Sequence, residues 1–142
     1  MIVLDTNIVS EVMRPTPSPQ VISWLNLQQS SQLFFSSISI AEIAYGLYIL
    51  PNGKRKQQLQ LRFEQFVANA FSYRILDFTE QTARTYSGIM GESKQTGRPM
   101  SVPDGQIAAI ALTNGFSLAT QNIKDFEHCG LELINPFELM AN

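Results

Sequence analysis

The chain opens on "MIVLDTNIVSEV" (residues 1–12): an apolar triplet, a polar triplet led by an acid, and a second apolar stretch. Ile2, Val3 and Leu4 run on without alternation, the pattern of a short strand buried on both faces. Strands of that kind belong to parallel sheets with helices packed on either side. Asp5 then stands where it can cap the helix of "TNIVSEV", because a carboxylate just ahead of the first turn accepts from amides that lack a partner in the helix. A strand running directly into a helix points to an α/β fold.

The rest of the chain repeats that alternation. "LFFSS" (33–37), "YRIL" (73–76), "FSLAT" (116–120) and "LELIN" (131–135) read as further buried strands, each bounded by turn-formers or polar residues. "QVISWLNLQ" (20–28) follows the breaker Pro15-Thr16-Pro17-Ser18-Pro19 and reads as a helix, and "ISIAEIAYGLYIL" (38–50) is a helix stopped by Pro51-Asn52-Gly53. In "KRKQQLQLRFEQFVANAF" (54–71) the apolar residues Leu59, Leu61, Phe63, Phe66, Val67 and Phe71 recur on a broadly helical period. "TARTYSGIMGESKQTG" (82–97) and "PDGQIAAIALTNG" (103–115) each close on glycine, the residue preferred just past a helix end. These patterns predict one domain over residues 1–142: a central parallel sheet of about four or five strands between two layers of helices.

Composition narrows the class. A chain of 142 residues is long enough to bury one core, and its 44% of hydrophobic residues include no run of about 18 that would span a bilayer. "MIVLDTN" lacks the basic start and long apolar region of a secretory signal, so the expected compartment is the cytoplasm, with no membrane partner. Cys129 is the single cysteine, which excludes a disulfide within the chain and fits a reducing compartment. With His128 it makes at most half of a zinc site; an incidental pair at or near the surface is the simpler reading. The net charge of −2 supplies no global field for polyanions, so any nucleic acid must be gripped locally.

Four acids stand out by position. Asp5 closes the first strand, Glu42 lies near the start of the helix after the second, Asp104 heads "PDGQIAAIAL", and Asp125 follows the fourth strand in "ATQNIKDF". Taken singly, each is explained by capping: Ser39 and Glu42 have capping-box spacing, and Ser101 with Asp104 and Asn122 with Asp125 resemble it. Such an acid is worth roughly 0.3–1 kcal/mol against the helix dipole. Taken together they invite another reading. Ligands of open parallel sheets bind at the carboxyl ends of the strands, where Asp5, Glu42 and Asp125 fall by order. A tight turn after Asp104's helix returns its start to the same edge. Two carboxylates about 4 Å apart repel by about 4 kcal/mol at an effective dielectric near 20, so a convergent set calls for a cation. All-oxygen donors favour Mg²⁺, or Mn²⁺, which completes its shell with waters and phosphate oxygens and so points to phosphodiester hydrolysis.

"LDTNIV", "SISIAEIAYG", "GRPMSVPDGQIAAIAL" and "LATQNIKDF", in this order and at these separations, resemble the PIN-domain ribonucleases, above all the VapC and FitB-like toxins of type II toxin–antitoxin modules. The resemblance runs essentially the whole chain, including "LELINPFEL", and implies a PIN-like three-layer fold. It places Asp5 and Asp104 on the acids that hold the catalytic Mg²⁺, and Glu42 and Asp125 on the two that complete the acidic pocket. Thr120 and Asn122 match a T-x-N-x-x-D segment, and Asn7 the asparagine that braces the site after the first aspartate. The implied activity is metal-dependent cleavage of RNA by a homodimer. The implied partner is a small antitoxin that silences the enzyme and brings the pair to operator DNA. Pro103 and Gly105 flanking Asp104 depart from the family pattern; proline is tolerated in a first helical turn, whereas glycine is expected to loosen the acid's placement.

Other residues carry weaker signals. Lys54, Arg55, Lys56 and Arg62 form the one basic cluster, read either as a solvated helix start or as a phosphate-binding patch; three cations at a helix N-terminus oppose its dipole. Arg98 in "TGRPMS" is either a loop residue or an RNA contact at the groove's rim. Trp24, Tyr45, Tyr48 and Phe66 are expected in the core, with a dimer surface as the alternative. Two other functions fit parts of the pattern: a phosphoacceptor signalling domain using Asp77 and Lys124, and a non-catalytic RNA- or protein-binding member of the PIN fold.

Overall fold

The computed structural model describes residues 1–72 and 74–138; Tyr73 of the expected "YRIL" strand and Leu139 of "LELINPFEL" lie outside the described residues. Strand β1 (Ile2–Leu4) passes through Asp5 alone into helix α1 (Thr6–Val12). The proline-rich connector leads to α2 (Pro19–Leu27), whose first position is Pro19, a residue with no amide hydrogen to leave unpaired there. Strand β2 (Leu33–Ser36) runs straight into α3 (Ser37–Tyr48). Helix α4 (Lys54–Phe66) widens into a π turn over Val67–Phe71 before the short β3 (Ile75–Leu76). Two long helices, α5 (Glu80–Gln95) and α6 (Val102–Asn114), precede β4 (Ser117–Ala119), α7 (Ile123–Phe126) and β5 (Leu133–Ile134).

The five strands form one parallel sheet in the order β3-β2-β1-β4-β5. β1 is central: Val3 pairs with Phe34 of β2 on one side and with Leu118 of β4 on the other. The strand period of two then divides the core between the faces. Leu4, Phe35 and Ala119 pack with Ile8 and Val9 of α1, Val21 of α2 and Phe63 of α4. Val3 and Leu118 turn the opposite way, against Ile107, Ala108 and Ala111 of α6 and Phe126 of α7. Both faces are therefore dry, as the unalternated "IVL" requires. Burying each large apolar side chain stabilises by about 1.5–3 kcal/mol, so the two half-cores hold the sheet between its helix layers.

The helix starts differ in detail from expectation. Ser36, not Ser39, caps α3, its Oγ accepting from the Ser39 amide at 3.0 Å. The Ser39–Glu42 capping box is thus not formed, which leaves the Glu42 carboxylate free for another partner. Ser101 caps α6 as expected, accepting from the Asp104 amide at 3.2 Å. Asn122 precedes α7 without a side-chain cap bond. At the other end of α6, Gly115 takes the left-handed conformation (φ +70°), which turns the chain within two residues into β4. That turn sets α6 back along the sheet and brings Asp104 to the edge where β1 ends.

Gly105 has a packing role that its sequence context did not show. A Cβ there would collide with the Met90 thioether and lie 3.1 Å from the Tyr86 ring. Its absence lets α5 pack tightly on α6. Trp24 lies in the core and Phe66 packs against it, but Tyr45 and Tyr48 are 66% and 73% exposed, so the expectation of a core position fails for both tyrosines. They ride the outer side of α3, whose inward side is taken by Ile43 and Leu47. Among the described residues no helix is long and apolar enough to cross a membrane.

Candidate active site

The carboxyl ends of β1, β2 and β4 open on a cleft of about 430 Å³ that Asp5, Glu42 and Asp104 line together with Asn7 and Asn122. The chain order reverses between β1 and β4, the position where open α/β sheets place their ligands.

Asp5 is the deepest of the acids, 3% exposed. Its amide extends the β1–β4 ladder to the Ala119 carbonyl at 2.9 Å, which sets the side chain over the strand ends. Oδ1 accepts from the Thr6 amide at 2.8 Å, so the capping role read from the sequence is real. Oδ2 accepts from Thr120 Oγ1 at 2.8 Å and from Asn7 Nδ2 at 3.2 Å. Thr120 is itself fully buried and takes the Asn122 amide on its hydroxyl at 3.0 Å, while Asn7 Oδ1 accepts from the Gln121 amide at 3.2 Å. Asn7 and Thr120 thus hydrogen-bond the Asp5 carboxylate directly, whereas Asn122 reaches Thr120 through its backbone amide.

Glu42 reaches the cleft from the first turns of α3, where Oε1 accepts from Thr6 Oγ1 at 2.7 Å. Thr6 Oγ1 also lies 2.7 Å from Ser39 Oγ. A hydroxyl has one hydrogen, so the Thr6 proton on Glu42 makes Ser39 the donor in the second bond. Thr6 thereby links Asp5, by its amide, to Glu42, by its hydroxyl. Sequence reasoning passed over Thr6 and read Ser39 only as a cap; the signal was the threonine placed directly after the first acid.

The acids act on one another. Burial pushes the Asp5 carboxyl up to about 6; the bonds from Thr120 and Thr6 oppose this, and the charges of Asp104 and Glu42 add to it. Burial also raises the Asp104 carboxyl, opposed by the Ser101 contact and reinforced by the charges of Asp125 and Glu42. Asp125 is exposed at the start of α7 and meets the site through this effect on Asp104, without lining the cleft. Among the described residues no three carboxylates already converge as a closed metal cage. The donor set suits a hard divalent cation that keeps several waters: oxygen ligands only, one buried acid whose charge lacks a counter-ion, and an open cleft. Cys129 is buried, its thiol pushed up by burial and by Asp104, which makes it a poor nucleophile.

The other residues singled out in the sequence scatter. Lys56 is spent on the Tyr48 carbonyl (2.6 Å) and on Asn52 Oδ1 (3.2 Å), and Arg62 on the Met13 carbonyl at 3.1 Å. Lys54 is exposed on the first turn of α4, whereas Arg55 lines a groove that adjoins the cleft. Arg98 is exposed in the α5–α6 loop and does not line the cleft. Asp77 follows the edge strand β3, also outside the cleft, and Lys124 lies in α7, so neither has the central placement a phosphoacceptor domain needs. His128 is half-buried, its ring nitrogens unpartnered among the described residues. Glu11 and Arg14, which the sequence reading did not single out, both line the cleft.

Known proteins resemble this chain along nearly its whole length. A VapC ribonuclease, Y4jK, of Sinorhizobium fredii is 40% identical over 97% of this chain and 99% of its own length. Toxin FitB of Neisseria gonorrhoeae is 36% identical over 96% of this chain and 99% of its own. A solved structure of FitAB bound to an IR36 DNA fragment superposes with a TM-score of 0.92, at 36% identity, covering 100% of this chain and 99% of that one. Residues 2–130 match the family model described as the PIN domain, from the strand that delivers Asp5 to the residues just past α7, so the chain belongs to the PIN-domain family.

Proposed function

We propose that this protein is a Mg²⁺-dependent endoribonuclease and the toxin of a type II toxin–antitoxin module. The observation that carries the reading is the joint placement of Asp5, Glu42 and Asp104 in one cleft at the sheet's switch point, in a chain 36–40% identical along nearly its full length to a ribonuclease and a toxin.

Asp5 and Asp104 are the proposed principal metal ligands, with Glu42 beside them in the cleft and Asp125 adding its negative charge from outside the cleft lining. Mg²⁺, or Mn²⁺ in its place, supplies when bound Lewis-acid polarisation of the phosphoryl group and a more acidic water. Asp5 is pre-oriented for this by Thr120, Asn7 and the Thr6 amide, so little reorganisation accompanies the reaction. Thr6 holds Glu42 turned toward the cleft. Attack by water in line with the leaving oxygen gives a 5′-phosphate and a 3′-hydroxyl, as the resemblance implies.

The FitAB complex on DNA supports the partner assignment: a small antitoxin that silences the enzyme and carries the pair to operator DNA. A homodimer in the cytoplasm is proposed on the family resemblance, and the exposed Tyr45 and Tyr48 of α3 offer an apolar surface for it.

The test is cleavage of total cellular RNA by the purified protein with Mg²⁺ and with chelator, beside Asp5→Asn and Asp104→Asn. Loss of activity by a factor of about 10² or more in chelator and in both variants is expected, since each removes part of the charge stabilisation of the transition state. Undiminished cleavage in any of the three would overturn the mechanism.

A further inference from the structure

We infer that Arg14 is a substrate-binding residue that grips an RNA phosphate beside the scissile one, held in position by Glu11. The inference rests on the ribonuclease reading and adds to it a residue for the substrate strand.

Arg14 is the one cation that lines the acidic cleft among the described residues, and it also lines the adjoining groove of about 490 Å³ between α1, α3 and α4. It thus stands on the boundary that a strand leaving the cleft in that direction crosses. Its side chain is 65% exposed, yet it is not loose. Nη1 donates to both oxygens of Glu11, at 3.1 and 3.4 Å, and Glu11 is itself 9% exposed and fixed by the Ser18 amide on Oε2 at 2.8 Å. Pro15 and Pro17 stiffen the connector on which Arg14 stands. Nε and Nη2 donate to no other described residue. That leaves free one edge of the planar fork, and such an edge matches two phosphate oxygens at once.

Electrostatics supply the reason for a cation here. The cleft presents Asp5, Glu11, Glu42 and Asp104 to a polyanion, and a divalent metal offsets only part of that charge. Arg14 provides attraction at the mouth without entering the metal's place. Arg55, exposed on the first turn of α4, lines the same groove, together with the apolar Met13, Ile43, Leu47 and Leu59. A groove lined by two arginines and by apolar side chains suits a single strand, whose phosphates take the cations while an unstacked base meets the apolar lining.

The experiment measures steady-state cleavage of a fluorescein-labelled, mixed-sequence single-stranded RNA dodecamer in Mg²⁺ over a range of salt, for the wild type, Arg14→Ala, Arg14→Lys, Glu11→Gln and the Glu11→Gln/Arg14→Ala pair. Mn²⁺ affinity is followed in parallel by calorimetry. Arg14→Ala is expected to lower kcat/KM about tenfold or more, chiefly through KM, and to reduce the slope of log kcat/KM against log salt by about 0.7, one phosphate contact on a single strand. Mn²⁺ affinity should stay within about twofold. Arg14→Lys should keep the salt slope but recover only part of kcat/KM, because a point charge replaces the fork. Glu11→Gln should weaken binding in the same direction and add nothing once Arg14 is alanine. An active wild type with Arg14→Ala unchanged in KM and salt slope overturns the inference alone. Normal cleavage by Arg14→Ala with lost affinity for the antitoxin also overturns it and assigns Arg14 to the protein interface. An inert wild type overturns the ribonuclease reading and this inference with it.

Discussion

At the scale of single residues, Asp5 shows why a cap and a catalytic acid are not alternatives. One carboxylate oxygen accepts the amide that starts α1, and the other takes Thr120 and Asn7, so the bonds that begin the helix also aim the acid. The same burial has a thermodynamic consequence. In the metal-free protein the Asp5 carboxyl lies at about 6 against an ordinary value of 3.8, so between these two pH values the folded state binds more protons than the unfolded state. Asp5's contribution is therefore fully present below about pH 4 and is lost as pH rises through about 6, some 3 kcal/mol in all at 1.36 kcal/mol per pH unit. Urea unfolding of metal-free protein at pH 4 to 8 should show this decline, and Asp5→Asn should flatten it. A wild-type profile that rises from pH 4 to 6, with the other acids' contributions removed by comparison with Asp5→Asn, would contradict the assignment. Asp5, Glu42, Asp104 and Asp125 were all readable as candidates because acids at helix starts are conspicuous. Thr6, Glu11 and Arg14 were not, and Ser39 was read only as a cap, because their importance lies in partners up to 36 residues away, such as Glu42 for Thr6.

At the scale of elements, apolar pattern and punctuation located, among the described residues, all five strands and six of the seven α-helices, with ends shifted by one to a few residues. The expected α4 pattern ran to Phe71 because the apolar period continues, although the backbone changes from α to π geometry after Phe66. The α3 cap moved from Ser39 to Ser36 because three serines compete in "SSISI", and β2 ends at Ser36, whose hydroxyl takes the Ser39 amide. Gly105 belongs to this scale too. Because its missing Cβ is the space that Met90 and Tyr86 fill, Gly105→Ala should destabilise by about 1–3 kcal/mol through overpacking between α5 and α6. The midpoint of thermal unfolding checks it; an unchanged or raised midpoint would show that the Met90 side chain moves aside at no cost.

At the scale of the molecule, the central strand β1 delivers Asp5 to the point where the two halves of the sheet diverge, with core on both faces beneath it. The two half-cores share the strands that separate them, so residues 1–138 are expected to unfold as one unit. Far-UV and near-UV circular dichroism should report coincident transitions, and two separated midpoints would argue for independent halves. Mg²⁺ should raise that midpoint, and more at pH 8 than at pH 5, since a cation binds the folded protein through carboxylates that must be ionised.

The amino-acid sequence by itself determined the α/β class, the parallel sheet and the four acids, because strand and helix periods and helix-start chemistry are local properties read within a dozen residues. Only the tertiary structure decided which of those acids share a cleft, that Glu42 answers to Thr6 and not to its own helix cap, that Lys56 and Arg62 are spent on carbonyls, and that Arg14 stands at the cleft's mouth. These outcomes depend on which side chains meet across the sheet edge, and that is set by strand order and helix docking, to which no local pattern gives access.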